Sequence, residues 1–392
     1  MTIRDFIFGK QQPLPEPKKE TQGPMVVSIN LQNSDFPEIR EVKNKDWVNF
    51  GNDNLYPDTL IDLYNSSAIH QSILTQKSKM IAGNGYTYDD NNLDEIQKIE
   101  VQKMLRFFDN EISIDTFLDL VSGDWELFGA AAVELIWSRD FERVVRFKRV
   151  KPSYIRSGKM KDGKVEHYYY SKDWSSVRNN PPVQIAAFDI SNKTDYTQLL
   201  YIKKYNPNTE YYGVPGYTSA LNWIKADSQI GLFHNMNISN GFNPGLAIHF
   251  TKKPNSMEER DIIVSELKRQ YSGARAAGKP LVFFSDGAEN RTQIDTISPS
   301  DLDKQFTVIH DQIVTQICSA HRVVSTELMA IAIPGKLGSA DIGTAYNIFE
   351  NTVIAPERLV IQKLINDLFL LNGLNINFTL KPLNILLGEG IQ

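Results

Sequence analysis

The sequence predicts an α+β fold, and three observations carry that prediction. Apolar residues recur at helical spacing in several stretches; the clearest is Leu302, Phe306, Ile309, Ile313, Ile317 and Ala320. Residues 140–210 instead hold short runs of β-formers separated by Gly, Asn and Pro. Two long helical stretches, about 218–240 and 298–321, flank one small αβ unit.

The chain has 392 residues, enough for two or three domains and a sizeable core. Its 42 Lys and Arg against 47 Asp and Glu leave a net charge of −5, which argues against a tight grip on nucleic acid. The single cysteine, Cys318, rules out an internal disulfide framework and a cysteine-based zinc site, and its apolar helical setting reads as buried packing. No stretch approaches the roughly 18 apolar residues of a membrane span. Arg4, Asp5 and Lys10 leave no apolar signal core at the start, so no secretory peptide is expected.

Residues 1–25, with Pro13, Pro15, Pro17 and Pro24 among polar residues, read as a flexible arm of the kind that orders against a neighbouring subunit. From Pro57 an apolar face runs through Leu60, Leu63, Tyr64, Ile69, Ile73, Met80 and Ile81, stopped by Gly83 and Gly85. A second helix is expected over 93–108, with Ile96, Ile99, Met104 and Leu105 as core. A third starts at Ser113, an N-cap, and carries Phe117, Leu118, Val121 and Trp125. Gly129–Trp137 reads as a buried strand. Val144–Val150, Val165–Tyr170, Val183–Phe188 and Leu199–Lys204 read as an antiparallel layer over these helices.

The next helix, about 218–240, carries Trp223, Ala226, Ile230 and Phe233 at three-or-four spacing. Gly245–Phe250, a helix opened by the Ser256/Glu259 capping box, Leu281–Ser285 and Gln293–Ile297 form the small unit. Ser298, Pro299 and Asp301 then open the long striped helix, whose opposite side carries Asp303, Gln305, Gln312, Thr315 and Gln316. Residues 322–340 read as a loop. A last helix, 341–371, is expected to kink near Pro356, before a closing strand over 376–380. Two adjacent rods of this kind leave apolar residues, Trp223 and Phe233 among them, in need of partners. A ring of identical subunits would supply them; an ordinary helical hairpin packed on the β region is the alternative.

No motif marks an active site. Gly273–Pro280 imitates a phosphate-binding loop but has Pro280 where a hydroxyl must hold Mg²⁺, and its helix-then-strand order is reversed. Gly335–Ser339 lacks the earlier glycine. Gly83–Tyr86 is a helix stop. His70, His167, His234, His249, His310 and His321 show no metal spacing and read as surface or helix-end residues. Glu258 with Glu259 read as a helix start. Tyr168–Tyr170 with Lys172, Trp174 and Arg178 could stack bases, but an alternating strand explains them better in an acidic chain.

The order of segments resembles a tailed-bacteriophage portal protein of the roughly 400-residue type, over about residues 47–380. Gly213–Gly245 is similar to the portal Gly-x-Pro turn, long helix and exit. Ser256–Gly287 resembles the portal clip. Ile297–Phe306 and His321–Leu328 resemble the two ends of a second stem helix, and Trp47–Pro57 is similar to portals of Bacteroidetes phages.

The resemblance implies a flexible arm (1–25), a wing (26–216 and 342–392, crown absent or vestigial), stem helices (217–240 and 298–321), a small αβ clip (241–297) and a tunnel loop (322–341). It implies stem packing through Trp223, Ile230, Phe233, Phe306, Ile309, Ile313 and Ile317. It implies a clip interface at Glu258, Glu259, Lys268, Tyr271 and Phe283, and channel residues Ser325, Thr326, Lys336 and Ser339, with Lys336 as the main phosphate contact. The implied partners are further copies of the chain, usually twelve in a ring, sliding double-stranded DNA, the terminase large subunit, a head–tail adaptor, and the major capsid or scaffolding protein. No cofactor, metal, membrane or catalysis is implied. The implied location is the capsid portal vertex, with assembly in the host cytoplasm. At this level an enzyme, such as a packaging motor or nuclease, and a connector that does not conduct DNA remain the competing readings.

Overall fold

The computed structural model describes residues 36–109, 112–239, 246–250, 256–271, 281–284, 294–296, 302–331 and 342–383. The arm expected over residues 1–25 lies outside them. A short hairpin opens the described chain, β1 (Ile39–Glu41) against β2 (Val48–Phe50). Two helices follow where the apolar pattern predicts one, α1 (Tyr56–Ser66) and α2 (Ala68–Ala82). Ser67 makes the break: it leaves helical backbone and its hydroxyl accepts the His70 N–H, capping α2. Gly83 and Gly85, at φ +81 and +84, end the run as expected.

After β3 (Tyr86–Thr87) comes α3 (Glu95–Arg106), opened by a complete Asp94/Gln97 capping box. Its inward face is Val101 and Leu105; Ile96 and Ile99, expected in the core, are 77% and 53% exposed. Both pairs are spaced for one face, so the pattern alone could not say which face turns inward. Then α4 (Ile114–Phe128), capped by Ser113, leads through a left-handed Gly129 into β4 (Ala130–Trp137).

The strands β5 (Val144–Val150), β6 (Ile155–Ser157), β7 (Met160–Lys161), β8 (Lys164–Val165), β9 (His167–Tyr170), β10 (Val183–Ala187) and β11 (Thr197–Lys203) follow. Six strands form one sheet in the order β5-β4-β11-β10-β9-β6. Alternation along β4 serves two cores: Ala131, Val133, Leu135 and Trp137 join the main one, and Ala132 a smaller one with Val150, Ile155, Tyr168 and Leu199. The sheet is not wholly antiparallel as expected, because β10 and β11 run parallel through Ala186/Gln198 and Ala187/Leu199. A short loop achieves this return because Gln198, fully buried, pins it: its amide donates to the carbonyls of Asn192 and Asp195 and accepts the Asp189 N–H. The tyrosine run lies in β9, with Tyr168 buried and Tyr169 and Tyr170 half-buried, as the strand reading expects.

A tight turn at Gly216–Ala220 enters the first long helix, α5 (Leu221–Ser239). The small unit shows β12 (Leu246–Phe250), α6 (Met257–Tyr271), β13 (Leu281–Phe284) and β14 (Ile294–Thr296), its strands ordered β13-β12-β14. The second long helix, α7 (Leu302–Ala320), packs beside α5. Beyond it α8 (Ile342–Phe349) passes through a wide π-helical turn, Glu350–Ile354, into α9 (Ala355–Leu370), so the predicted irregularity sits just before Pro356. The last strand, β15 (Thr379–Leu380), pairs with β3.

Candidate functional site

Buried polar chemistry gathers at the foot of the two long helices. There α2 meets, within a few turns, nearly every other layer. At its cap, Ser67 donates to Asp227 of α5 at 2.6 Å. One turn on, His70 Nδ1 lies 2.9 Å from His321 Nε2 at the end of α7. Ser72 then donates to the Met329 carbonyl at 2.6 Å. Lys77 reaches Glu126 of α4, and the Met80 carbonyl accepts from Arg358 of α9.

The two histidines are buried, at 0% and 2% exposure, which corrects the surface reading of both; His310 is exposed as expected. Tyr217 packs on both rings, edge-on to His70 and stacked on His321, and donates to the Leu127 carbonyl at 2.6 Å. Burial, with Lys77 nearby, pushes the His70 pKa down to about 3, and burial pushes His321 well below its ordinary value. Each ring is therefore neutral. The tautomer in which His70 donates through Nδ1 leaves a lone pair, rather than an orphan N–H, on its partnerless Nε2.

Beneath them runs a buried chain of charges. Glu126 takes Lys77 at 2.5 Å and Lys204 at 2.7 Å; Lys204 also meets Glu357 at 3.0 Å, and Trp125 donates to Glu357 at 2.6 Å. Burial alone would raise the Glu126 pKa, but the two ammonium groups outweigh it and hold it at about 2. Two acids and two lysines thus close one neutral network across α2, α4, α9 and the end of the sheet.

At its C-terminus α7 closes in a Schellman turn: Arg322 N–H donates to Ser319 O and Val323 N–H to Cys318 O. Arg322 sits at φ +60, and Ala330, at φ +55, closes the next turn. Between them Ser325 and Thr326, expected to face a channel, are half-buried; Ser325 precedes the turn Thr326–Met329 and donates to Glu327 at 3.1 Å. Lys336 and Ser339 lie outside the described residues.

On the paired long helices, Ile313 and Ile317 are fully buried and Cys318 packs as expected, while Ile309 is 40% exposed. Trp223 and Ile230 are half-buried against the chain's own core, so Trp223 is partly partnered at home. Phe233 and Phe306 belong to α5 and α7, but their side chains lie outside the description. In the small unit Glu258 and Glu259 are exposed on the first turn of α6, capped by Ser256 at 3.1 Å; Lys268, Tyr271 and Phe283 are placed only by their backbone. Among the described residues these groups do not share one centre.

The buried foot was invisible to spacing, since His70 and His321 are 251 residues apart. Among the described residues no cluster of His, Cys, Asp and Glu is arranged to hold a metal, and no helix is long and apolar enough to cross a membrane.

Comparison with known proteins places the chain in a family. The probable portal protein of Haemophilus phage HP1 (strain HP1c1) is 21% identical over 370 residues, covering 91% of this chain and 95% of that one. A chain in the neck of an empty gene transfer agent particle, solved with C6 symmetry, shares the fold at a TM-score of 0.56 and 17% identity, over 85% of each chain. One from the neck of the native particle, solved with C12 symmetry, does so at 0.53 and 17%, over 83% of each. The model of the phage portal protein family matches residues 78–384, most of the sequence, and the chain belongs to that family.

Proposed function

We propose that copies of this chain close into a ring at one vertex of a phage capsid and conduct double-stranded DNA through its hole during packaging and ejection. The observation that carries this reading is the surface of the long helix pair. Ile313 and Ile317 satisfy the core, yet Leu232 on α5 and Val308 and Ile309 on α7 stand 59%, 57% and 40% exposed. Exposed apolar side chains on both helices of a packed pair gain from a partner, and an identical neighbour in a closed ring gives every copy the same one. The C6 and C12 necks of the fold relatives support a ring.

In this reading α5 and α7 are the stem, the unit carrying α6 is the clip that meets terminase and the head–tail adaptor through Glu258, Glu259 and its neighbours, and the sheet with its helices is the wing that meets capsid or scaffolding protein. Residues 322–341 form the tunnel loop. The ring is a passive conduit: a net charge of −5 per copy suits a duplex that must slide rather than stick.

Electron microscopy of the purified protein tests the proposal. Rings with a central hole of duplex width, about 20 Å or more, are expected. A closed disc, or a single copy under all assembly conditions, overturns it.

A further inference from the structure

We infer that Arg322 is a phosphate contact of the channel, one fixed cation per copy at the root of segment 332–341. This deepens the conduit reading and rests on it.

The first observation is an unfavourable residue choice. Arg322 occupies the left-handed position of the turn that ends α7, at φ +60, where glycine is the residue chain sterics prefer. A β-carbon is tolerated there at a cost in strain, and strain of this kind gathers where a side chain is used.

The second is its electrostatic isolation. Arg40, Arg143, Arg146, Arg149 and Arg358 each pair with a carboxylate. Arg322 is exposed and, like Arg106, Arg139 and Arg178, has no carboxylate partner among the described residues; it differs from them in its left-handed backbone. One guanidinium NH₂ donates to the Thr352 carbonyl at 3.0 Å, which orients the planar group and leaves its other N–H donors without a partner among the described residues.

The third is the setting. The last exposed positions of α7 are Gln312, Thr315, Gln316 and Ser319, all neutral. The hydroxyls of Thr315 and Ser319 are already spent on carbonyls of their own helix. The surface beside Thr352 is neutral too, with Asn347 and Asn351 exposed. The cation thus ends a strip that is neutral from Gln312 onward, with Asp311 just before the strip and the half-buried Glu327 on the turn that follows. The backbone carrying it is anchored on both sides, through His321 to His70 and through Met329 to Ser72.

The chemistry such a group recognises is a phosphate oxygen of a nucleic-acid backbone. A guanidinium fork takes it by charge-assisted hydrogen bonds and reads no base. One contact per copy holds a duplex without locking its sequence or position, which a moving thread requires.

The test uses full-length Arg322→Gly and Arg322→Lys variants. Binding of a linear duplex is measured against salt concentration, alongside ring mass and thermal melting. Arg322→Gly should melt at the same temperature or higher, because glycine suits the turn, and should keep its ring. It should bind the duplex more weakly at low salt, with the log–log salt slope shallower by about 0.9 for each copy that engages a phosphate. Arg322→Lys should keep most of the slope. Unchanged affinity and slope in Arg322→Gly, with wild-type rings binding duplex normally, overturn this inference and leave the conduit reading intact. Loss of the ring in Arg322→Gly also overturns it, assigning the residue to the contact between copies. Wild-type rings that never engage duplex overturn both readings together.

Discussion

His70 Nδ1 and His321 Nε2 lie 2.9 Å apart, buried and covered by Tyr217, and this bond ties the end of α7 to α2. Neither ring can take a second proton without placing a charge beside the other ring and near Lys77, with Lys204 also acting on His321 and Glu126 as the opposing charge there. The unfolded histidines have pKa values near 6.5, and the folded ones are depressed. The unfolded chain therefore gains protons that the fold refuses as pH falls below about 6.5. Stability should be full above that value and fall toward pH 5, by up to about 2 kcal/mol for each histidine. Urea titrations at pH 7.5, 6 and 5 read this directly. A His70→Gln/His321→Gln variant should lose the dependence between pH 6.5 and 5 even if it is less stable overall. An equally steep fall in that variant would remove the histidines from the account.

The pair also shows where sequence legibility ended. Features that act within one turn were readable: the Ser113 and Ser256 caps and the Gly83 stop. Features decided by what packs against a segment were not. Ile96 and Ile99 repeat as cleanly as Val101 and Leu105, and only the neighbouring layers choose between the two faces. The Ser67 break hides inside a continuous apolar pattern because α1 and α2 bury the same side. The parallel pairing of β10 and β11 depends on one glutamine holding a loop. The charge network joins residues from four segments, and the left-handed Arg322 gives no sign in a sequence that lacks the expected glycine. Local chemistry writes itself into spacing; long-range polar contacts do not.

Glu126 offsets two buried ammonium groups at once. Removing its charge while keeping its shape leaves Lys77 and Lys204 with only Glu357 between them. Glu126→Gln should therefore destabilise the fold by about 3–5 kcal/mol, the usual cost of stranding a buried charge. Equilibrium urea unfolding measures it. A loss below about 1 kcal/mol would mean that the lysines find water, and that the network is less enclosed than its geometry says.

The turn entering α5 depends on two glycines in contact. A β-carbon at Gly213 would lie 2.0 Å from the Gly129 carbonyl oxygen, and one at Gly129 would lie 2.6 Å from the Val214 carbonyl carbon. Both obstacles are backbone and cannot swing away. Gly216, three residues on, has open space around the same position. Gly213→Ala should cost more than about 3 kcal/mol or abolish soluble expression, whereas Gly216→Ala should stay within about 0.5 kcal/mol of wild type. Similar melting temperatures for the two variants would show that the close approach relaxes.

The ring itself rests on side chains that the single copy does not use. Val308 and Ile309 are 57% and 40% exposed, so replacing both with serine removes little from the fold of one copy, on the order of 0.5 kcal/mol each. In a closed ring every copy meets two neighbours, and each buried aliphatic side chain lost there forfeits about 1–2 kcal/mol of transfer free energy. The same change is thus mild for the chain and severe for assembly. A Val308→Ser/Ile309→Ser variant should keep its circular dichroism and its unfolding midpoint while its ring population, read by sedimentation velocity, falls at least tenfold at equal concentration. Rings that form as readily as wild type would place the contact between copies elsewhere than on α7. A variant that loses its own fold together with the ring would show that these side chains already have partners within one copy.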